Sequence, residues 1–302
     1  MLKKLFQSFR SPLRRAAHKR STPEVLNSNQ HPLRRGEISR YALSVVDRLQ
    51  QAGYQAYLVG GCVRDLLLNL EPKDFDVATS ATPEQVRAEF RNARVIGRRF
   101  KLVHVHFGRE IIEVATFRAN HPQGDEDEDS NLSSRNESGR ILRDNVYGSL
   151  EDDAQRRDFT INALYLDASC ERILDYANGV HDIRNRLIRL IGDPEKRYQE
   201  DPVRMLRAVR FAAKLDFDIE KHSAAPIPRL ARLLHEIPSA RLFDEVLKLF
   251  LAGNAEHTFE LLLEYNLFAP LFPAAAAALK RDPEYAGELI RLALASTDRR
   301  IE

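Results

Sequence analysis

Cysteine is scarce in this 302-residue chain, with Cys62 and Cys170 the only two. Two thiols without metal-ligand spacing exclude a disulfide framework and a structural zinc site, and they fit a reducing cytoplasm. Long apolar runs are missing too. The best uncharged apolar stretch, Ala274–Leu279, falls far short of the ~20 residues that cross a bilayer as a helix. Neither sign of charge dominates, because 46 Lys and Arg meet 44 Asp and Glu for a net charge of +2. No Ser/His/Asp arrangement stands out for nucleophilic catalysis.

What is present reads as an ordinary soluble globular chain, 43% hydrophobic and 30% charged. Its length suits two domains, or one domain with a helical extension. Residues 1–20 hold seven basic residues (Lys3, Lys4, Arg10, Arg14, Arg15, Lys19, Arg20) and no acid. Leu2, Leu5, Phe6 and Phe9 recur there at helical spacing. Residues 1–37 are therefore expected to be a disordered basic arm. RNA phosphates, weak contact with an anionic membrane surface and a targeting role all remain open for it.

Ordered structure is expected from Ile38. Ala42, Val45, Val46 and Leu49 share one helical face, and Gly53 closes that helix. Tyr57–Val59 predicts a buried strand entering Gly60-Gly61, then a helix from Val63 to Leu68 and a strand over Asp74–Thr79. Thr82-Pro83-Glu84-Gln85 predicts a capped helix start. Leu102–Phe107 and Ile111–Phe117 predict a hairpin turning at Gly108. The pattern is an α/β head with a mixed sheet over 38–165, interrupted by a mobile, acidic loop at 120–140 that contains Asp125–Asp129. The remainder, 166–302, is expected to be helical neck and body, with Pro202–Leu215, Ala240–Leu251 and Ala255–Tyr265 amphipathic. Leu289–Glu302 reads as a helix cut mid-course, so the chain is expected to stop inside that region.

Asp74 and Asp76 carry the first chemical signal, since period-two alternation puts both on one face of a strand. Adjacent carboxylates repel unless cations bridge them, and paired Mg²⁺ ions can hold both reacting oxygens of a phosphoryl transfer. Gly60-Gly61 upstream lets backbone N–H groups approach a phosphate, and Arg64 lies one turn into the next helix, able to reach the same anion. A third acid is expected on a neighbouring strand: Glu113, opposite in facing to its apolar neighbours, or Asp158. His104 and His106 alternate on one strand without further zinc ligands, and read as structural or RNA-facing.

Leu58-Val59-Gly60-Gly61-Cys62-Val63-Arg64-Asp65 followed by Asp74-Phe75-Asp76 resembles the head of the class II nucleotidyltransferases of the polymerase-β superfamily. That family holds bacterial CCA-adding enzymes and bacterial poly(A) polymerases. Arg156 to Leu164 resembles its next motif, and Glu200 to Ala208 its nucleotide-selecting motif. Gly97-Arg98-Arg99-Phe100-Lys101-Leu102-Val103-His104-Val105 resembles the signature of the bacterial poly(A) polymerases, although Lys101 stands where Arg or Gln is usual. Cys62 likewise replaces a frequent Gly, and neither departure removes a group that catalysis requires.

The resemblance implies a polymerase-β-like head followed by an all-α region, and addition of AMP from ATP to RNA 3′ ends with release of pyrophosphate. It implies Asp74 and Asp76 as metal ligands for two Mg²⁺ ions (Mn²⁺ as substitute). Glu113 is expected as the third ligand from its place on the strand, with Asp158 the competing candidate and counted beside the aspartates as catalytic. Gly60, Gly61, Arg64, Arg157 and Arg207 would bind nucleotide, and Arg98, Arg99 and Lys101 triphosphate or RNA. Asp201 and Arg204, three apart on a helix, share a face. There a carboxylate can accept from the adenine amino group while a guanidinium donates to N1. The expected protein is a cytoplasmic monomer; a CCA-adding enzyme and a non-catalytic RNA-binding relative are the alternatives.

Overall fold

The computed structural model describes residues 22–97, 101–119, 133–135, 141–144 and 146–301. It opens with strand β1 (Glu24–Leu26), helix α1 (Arg40–Gln51), β2 (Ala56–Val59), α2 (Gly61–Leu67), β3 (Asp76–Thr79) and α3 (Pro83–Glu89). Strands β4 (Ala93–Ile96), β5 (Leu102–Phe107) and β6 (Glu110–Thr116) follow, then a small hairpin of β7 (Ser133–Arg135) and β8 (Ile141–Asp144). Helix α4 (Leu150–Arg156) leads to β9 (Leu164–Asp167) and β10 (Arg172–Asp175).

Eight of these strands form one mixed sheet in the order β1-β10-β9-β2-β3-β6-β5-β4, with β3 and β6 parallel. Local chemistry sets the elements. Ser39 caps α1 by accepting from the Tyr41 amide, while Thr82 and Gln85 cap α3 reciprocally with Pro83 in its first turn, as the sequence predicts. Alternation then sorts each strand by face. Leu58, Val77, Val103, Val105, Ile112 and Val114 enter one core with Ala42, Val45, Val46 and Leu49 of α1. Each such large aliphatic is worth about 1.5–3 kcal/mol when buried. Val59, Ala78, Phe117 and Tyr165 enter a second core on the opposite face, covered by Leu150 and Ala154 of α4. Helix α4 covers only part of that face, and Asp76 and Glu113 line a cleft beside it.

The sheet reaches further than the sequence boundaries predict. β1 lies inside the expected basic arm and pairs with β10, while β9 and β10 extend the sheet beyond residue 165. Such short strands are specified by partners far away in sequence, which local periodicity does not report. β4 is a further strand at the opposite edge, and β3 begins at Asp76 rather than Asp74. Residues 1–21, and the acidic run Asp125–Asp129, lie outside the described residues.

Beyond the sheet come α5 (Gly179–Arg184), β11 (Leu187–Ile188), α6 (Pro194–Glu200), α7 (Val203–Leu215) and β12 (Asp218–Ile219), the last pairing in parallel with β11. The chain is helical thereafter: α8 (Lys221–Ala224), α9 (Ile227–Leu230), α10 (Ser239–Phe250), α11 (Ala255–Glu264), α12 (Phe268–Leu271), α13 (Pro273–Arg281) and α14 (Pro283–Asp298). Among the described residues no helix is long and apolar enough to cross a membrane. α7 joins the two parts: Phe211 packs edge-on against Phe159 at 5.6 Å, and Lys214 reaches Asp65 at 3.6 Å.

Gly179 marks a close backbone approach next to that joint. A Cβ there would sit 2.2 Å from the Thr160 carbonyl oxygen, a contact no side-chain rotation relieves. Gly179→Ala is expected to destabilise by about 1–3 kcal/mol in urea unfolding. Gly36→Ala, with nothing within 4 Å, should stay within about 0.5 kcal/mol.

Candidate active site

The open part of the sheet face holds a cleft of about 290 Å³ lined by Val59, Asp76, Glu113, Arg118, Asp153 and Arg157, among others. Asp76 starts β3 and stands in register with Glu113 on the parallel neighbour β6. Asp74, two residues before the strand, lines a separate groove of about 690 Å³ with Lys73, Arg109 and Glu110, which shares no lining residue with the cleft. The Asp76 carboxyl is pushed up to about 6, by burial first and then by Glu113, with Arg157 opposing and Asp74 adding to the rise.

Three acids within electrostatic reach, one of them held above the carboxylate range, form a donor set that suits hard divalent cations. Among the described residues no three His, Cys, Asp or Glu side chains already converge on one point. Asp76 and Glu113 are the assembled pair, and Asp74 approaches from the segment before β3.

Asp158 stands elsewhere. Its Oδ2 accepts from Arg207 Nε at 2.7 Å, and its Oδ1 from the Phe159 amide and Asn162. Burial would raise this carboxyl, but Arg207 outweighs it and holds it down at about 2. Of the two candidates for the third acid, the one beside Asp76 is Glu113.

Arg157 is braced rather than free. Its Nε and Nη2 donate to Asp153, which also accepts from the Tyr165 hydroxyl at 2.7 Å. Burial opposes its charge, yet Tyr165 and Asp153 beside it raise its pKa above the ordinary arginine value. Asp153 and Tyr165 went unread in the sequence, although the i,i+4 spacing of Asp153 and Arg157 on α4 and its cap was a usable signal. Gly60 lies close by in the left-handed region (φ +82°), where a Cβ would be 3.5 Å from Arg157 Nη1. Glycine there allows the positive-φ turn into α2, while 3.5 Å from Arg157 would be an ordinary contact for a Cβ.

Arg64, which by its spacing could reach a bound phosphate, is engaged by the protein's own groups. Only 3% exposed, it bonds Asn162 Oδ1 at 2.6 Å and Asp65 Oδ1 at 2.8 Å, with its guanidinium over Phe211. The folding of α7 over α2, a long-range event, turns this side chain inward. Lys101 forms an exposed ion pair with Glu84 at 3.3 Å, and Arg98 and Arg99 lie outside the described residues.

Asp201 and Arg204 are close but do not share one helix. α6 ends at Glu200, Asp201 is its extended C-cap (φ −150°, ψ 91°), and α7 starts at Val203. Pro202 explains the break, because it disfavours helical geometry in the preceding residue. The Arg204 amide donates to the Asp201 carbonyl at 3.0 Å, and Arg204 Nη1 donates to the Arg197 carbonyl at 2.7 Å. Arg241 of α10 donates to Asp201 Oδ2, also at 2.7 Å, while Asp201 Oδ1 is buried without a partner.

Family comparisons agree with this architecture. A model described as "Poly A polymerase head domain" matches residues 56–189, and one described as "Probable RNA and SrmB- binding site of polymerase A" matches 216–279. Poly(A) polymerase I of Salmonella typhimurium is 56% identical over 278 residues, covering 92% of this chain and 59% of that protein. A CCA-adding enzyme of Lactobacillus helveticus is 38% identical over 226 residues, covering 75% of this chain and 53% of its own length. The crystal structure of the Bacillus stearothermophilus CCA-adding enzyme in complex with CTP superposes with a TM-score of 0.63 at 38% identity, over 75% of this chain and 52% of that one. The chain thus spans 59% of the Salmonella relative's length. With the sheet, the Asp76–Glu113 pair and these likenesses together, the chain belongs to the tRNA nucleotidyltransferase/poly(A) polymerase family.

Proposed function

We propose that this chain carries the catalytic part of a template-independent adenylyltransferase that adds AMP from ATP to RNA 3′ ends, releasing pyrophosphate. The observation that carries the reading is Asp76 beside Glu113 on parallel strands, with Asp74 entering from the adjoining loop. These three acids would hold two divalent cations, Mg²⁺ with Mn²⁺ as substitute. When bound, such ions lower the pKa of the attacking hydroxyl and neutralise charge on the departing phosphate.

The protein's own residues do the rest. First-turn N–H groups of α2 have no intrahelical acceptor, and Gly60 brings that turn next to Arg157. Arg157, its charge secured by Asp153 and Tyr165, supplies positive potential to the triphosphate end of the cleft. Asp201 and Arg204 would select adenine. Asp201 Oδ1, buried and without a partner, would accept from the amino group, and Arg204, whose Nη1 is held by the Arg197 carbonyl, would donate to the ring through its remaining N–H groups. Arg207 and Asp158 lock α7, which carries Arg204, onto the head. The sheet is thus the catalytic unit, α6 and α7 the nucleotide-selecting neck, and the later helices the RNA-gripping body. Arg64 acts through that joint rather than by touching phosphate.

Incubating the protein with an unstructured RNA oligonucleotide and each nucleotide separately tests the reading. Long tails from ATP alone are expected. Two cytidines and one adenosine added only to tRNA would make it a CCA-adding enzyme, and absence of any Mg²⁺-dependent incorporation a binding protein.

A further inference from the structure

The Asp76–Glu113 register continues across the open face. Glu113 pairs with His104 on β5, and His104 with Arg94 on β4, so four strands present a row of Asp76, Glu113, His104 and Arg94. Glu113 is flanked by an acid on one side and an imidazole on the other. His104 Nε2 lies 3.5 Å from Glu113 Oε2, and its ring lies edge-on to His106 at 6.2 Å. Glu113 is 41% exposed along its side chain. At that exposure a glutamate keeps several rotamers unless something holds its carboxylate. Carboxylates that bind cations are themselves hydrogen-bonded by neighbours that fix their orientation.

We propose that His104 is a positioning residue, an Nε2–H donor that holds the Glu113 carboxylate toward Asp76 so that the pair can bind a divalent cation. The inference rests on reading Asp76 and Glu113 as the cation site. It gives His104 a role that neither a zinc ligand nor a purely structural histidine would have.

Mn²⁺ binding to the full chain, followed by electron paramagnetic resonance of the free ion, tests it without reference to turnover. His104→Ala is expected to weaken Mn²⁺ binding by about 10–100-fold. His104→Gln, whose amide N–H can reach the same oxygen, is expected to restore most of it. Should His104→Ala fail to fold, His104→Asn replaces it, with an amide too short to reach and the same loss expected. Binding unchanged in the Ala or Asn variant, or lost equally in the Gln variant, overturns the proposal. Glu113→Gln separates the two levels: unchanged Mn²⁺ binding in that variant overturns the cation site itself and the role of His104 with it.

Discussion

Asp76→Asn is expected to end AMP incorporation while making the metal-free protein more stable above pH 6. The first effect follows from removing a ligand: even neighbours of metal ligands cost about 10–100-fold when lost, and a ligand costs more. The second has the opposite sign to the usual acidic residue. Asp76 has its carboxyl raised from 3.8 to about 6 in the fold, by burial and then by Glu113. The folded state therefore holds the proton more tightly than the unfolded chain. Stability from this group is fully present below about pH 4 and is lost as pH rises through about 6. At about 1.4 kcal/mol per pH unit, the shift from 3.8 to about 6 makes the loss about 3 kcal/mol. Melting in EDTA at pH 5 and pH 8 should show the variant gaining on the wild type at pH 8. A variant that extends RNA normally would sink the assignment, and one melting lower at pH 8 would sink the electrostatic account. Asp74→Ala is also expected to abolish incorporation.

Arg207→Ala is expected to destabilise the protein by about 3–5 kcal/mol, because it strips the cation from a carboxylate that stays buried. Asp158 has a side chain 13% exposed and accepts from Arg207 at 2.7 Å. Its carboxyl is held at about 2, so the stabilisation from this acid is present above its unfolded value of 3.8 and lost as pH falls through about 2. Without Arg207, only the Phe159 amide and Asn162 still favour the charged carboxylate against burial, so the Asp158 pKa rises and the variant keeps less of this stabilisation at neutral pH. The gap between the proteins should therefore be wide at pH 7 and narrower at pH 4 in urea unfolding. Combining Arg207→Met with Asp158→Asn is expected to recover much of the loss, since no charge is then buried alone. Strictly additive losses would show that the two residues act separately.

These two sites differ in how far they were legible. Asp76 and Glu113 could be placed on one sheet face from alternation alone, since each is flanked by residues that enter the core: Val77, then Ile112 and Val114. Asp158 could not be assigned between metal site and ion pair. Its partner lies 49 residues away on α7, and nothing local encodes that meeting. The same limit explains Arg64, whose spacing predicts an anion contact and whose guanidinium is instead taken by Asn162 and Asp65. It also explains Asp201 and Arg204. Their three-residue separation suggests one helix, yet Pro202 breaks it and Arg241 of α10 claims one Asp201 oxygen.

By itself, then, the sequence determined the capped helices α1 and α3, the alternating strands, the Gly60 turn and the facing of Asp76 within its strand, while Asp74 lies before that strand and lines a different groove. Those features depend on residues within a turn or two of each other, where spacing and side-chain shape suffice. The tertiary structure alone decided that β1, β9 and β10 complete the sheet, that Glu113 rather than Asp158 stands beside Asp76, and that Arg64 faces inward. Each of those depends on which distant segment arrives as a neighbour, and a buried charge accepts whichever partner packing brings within reach.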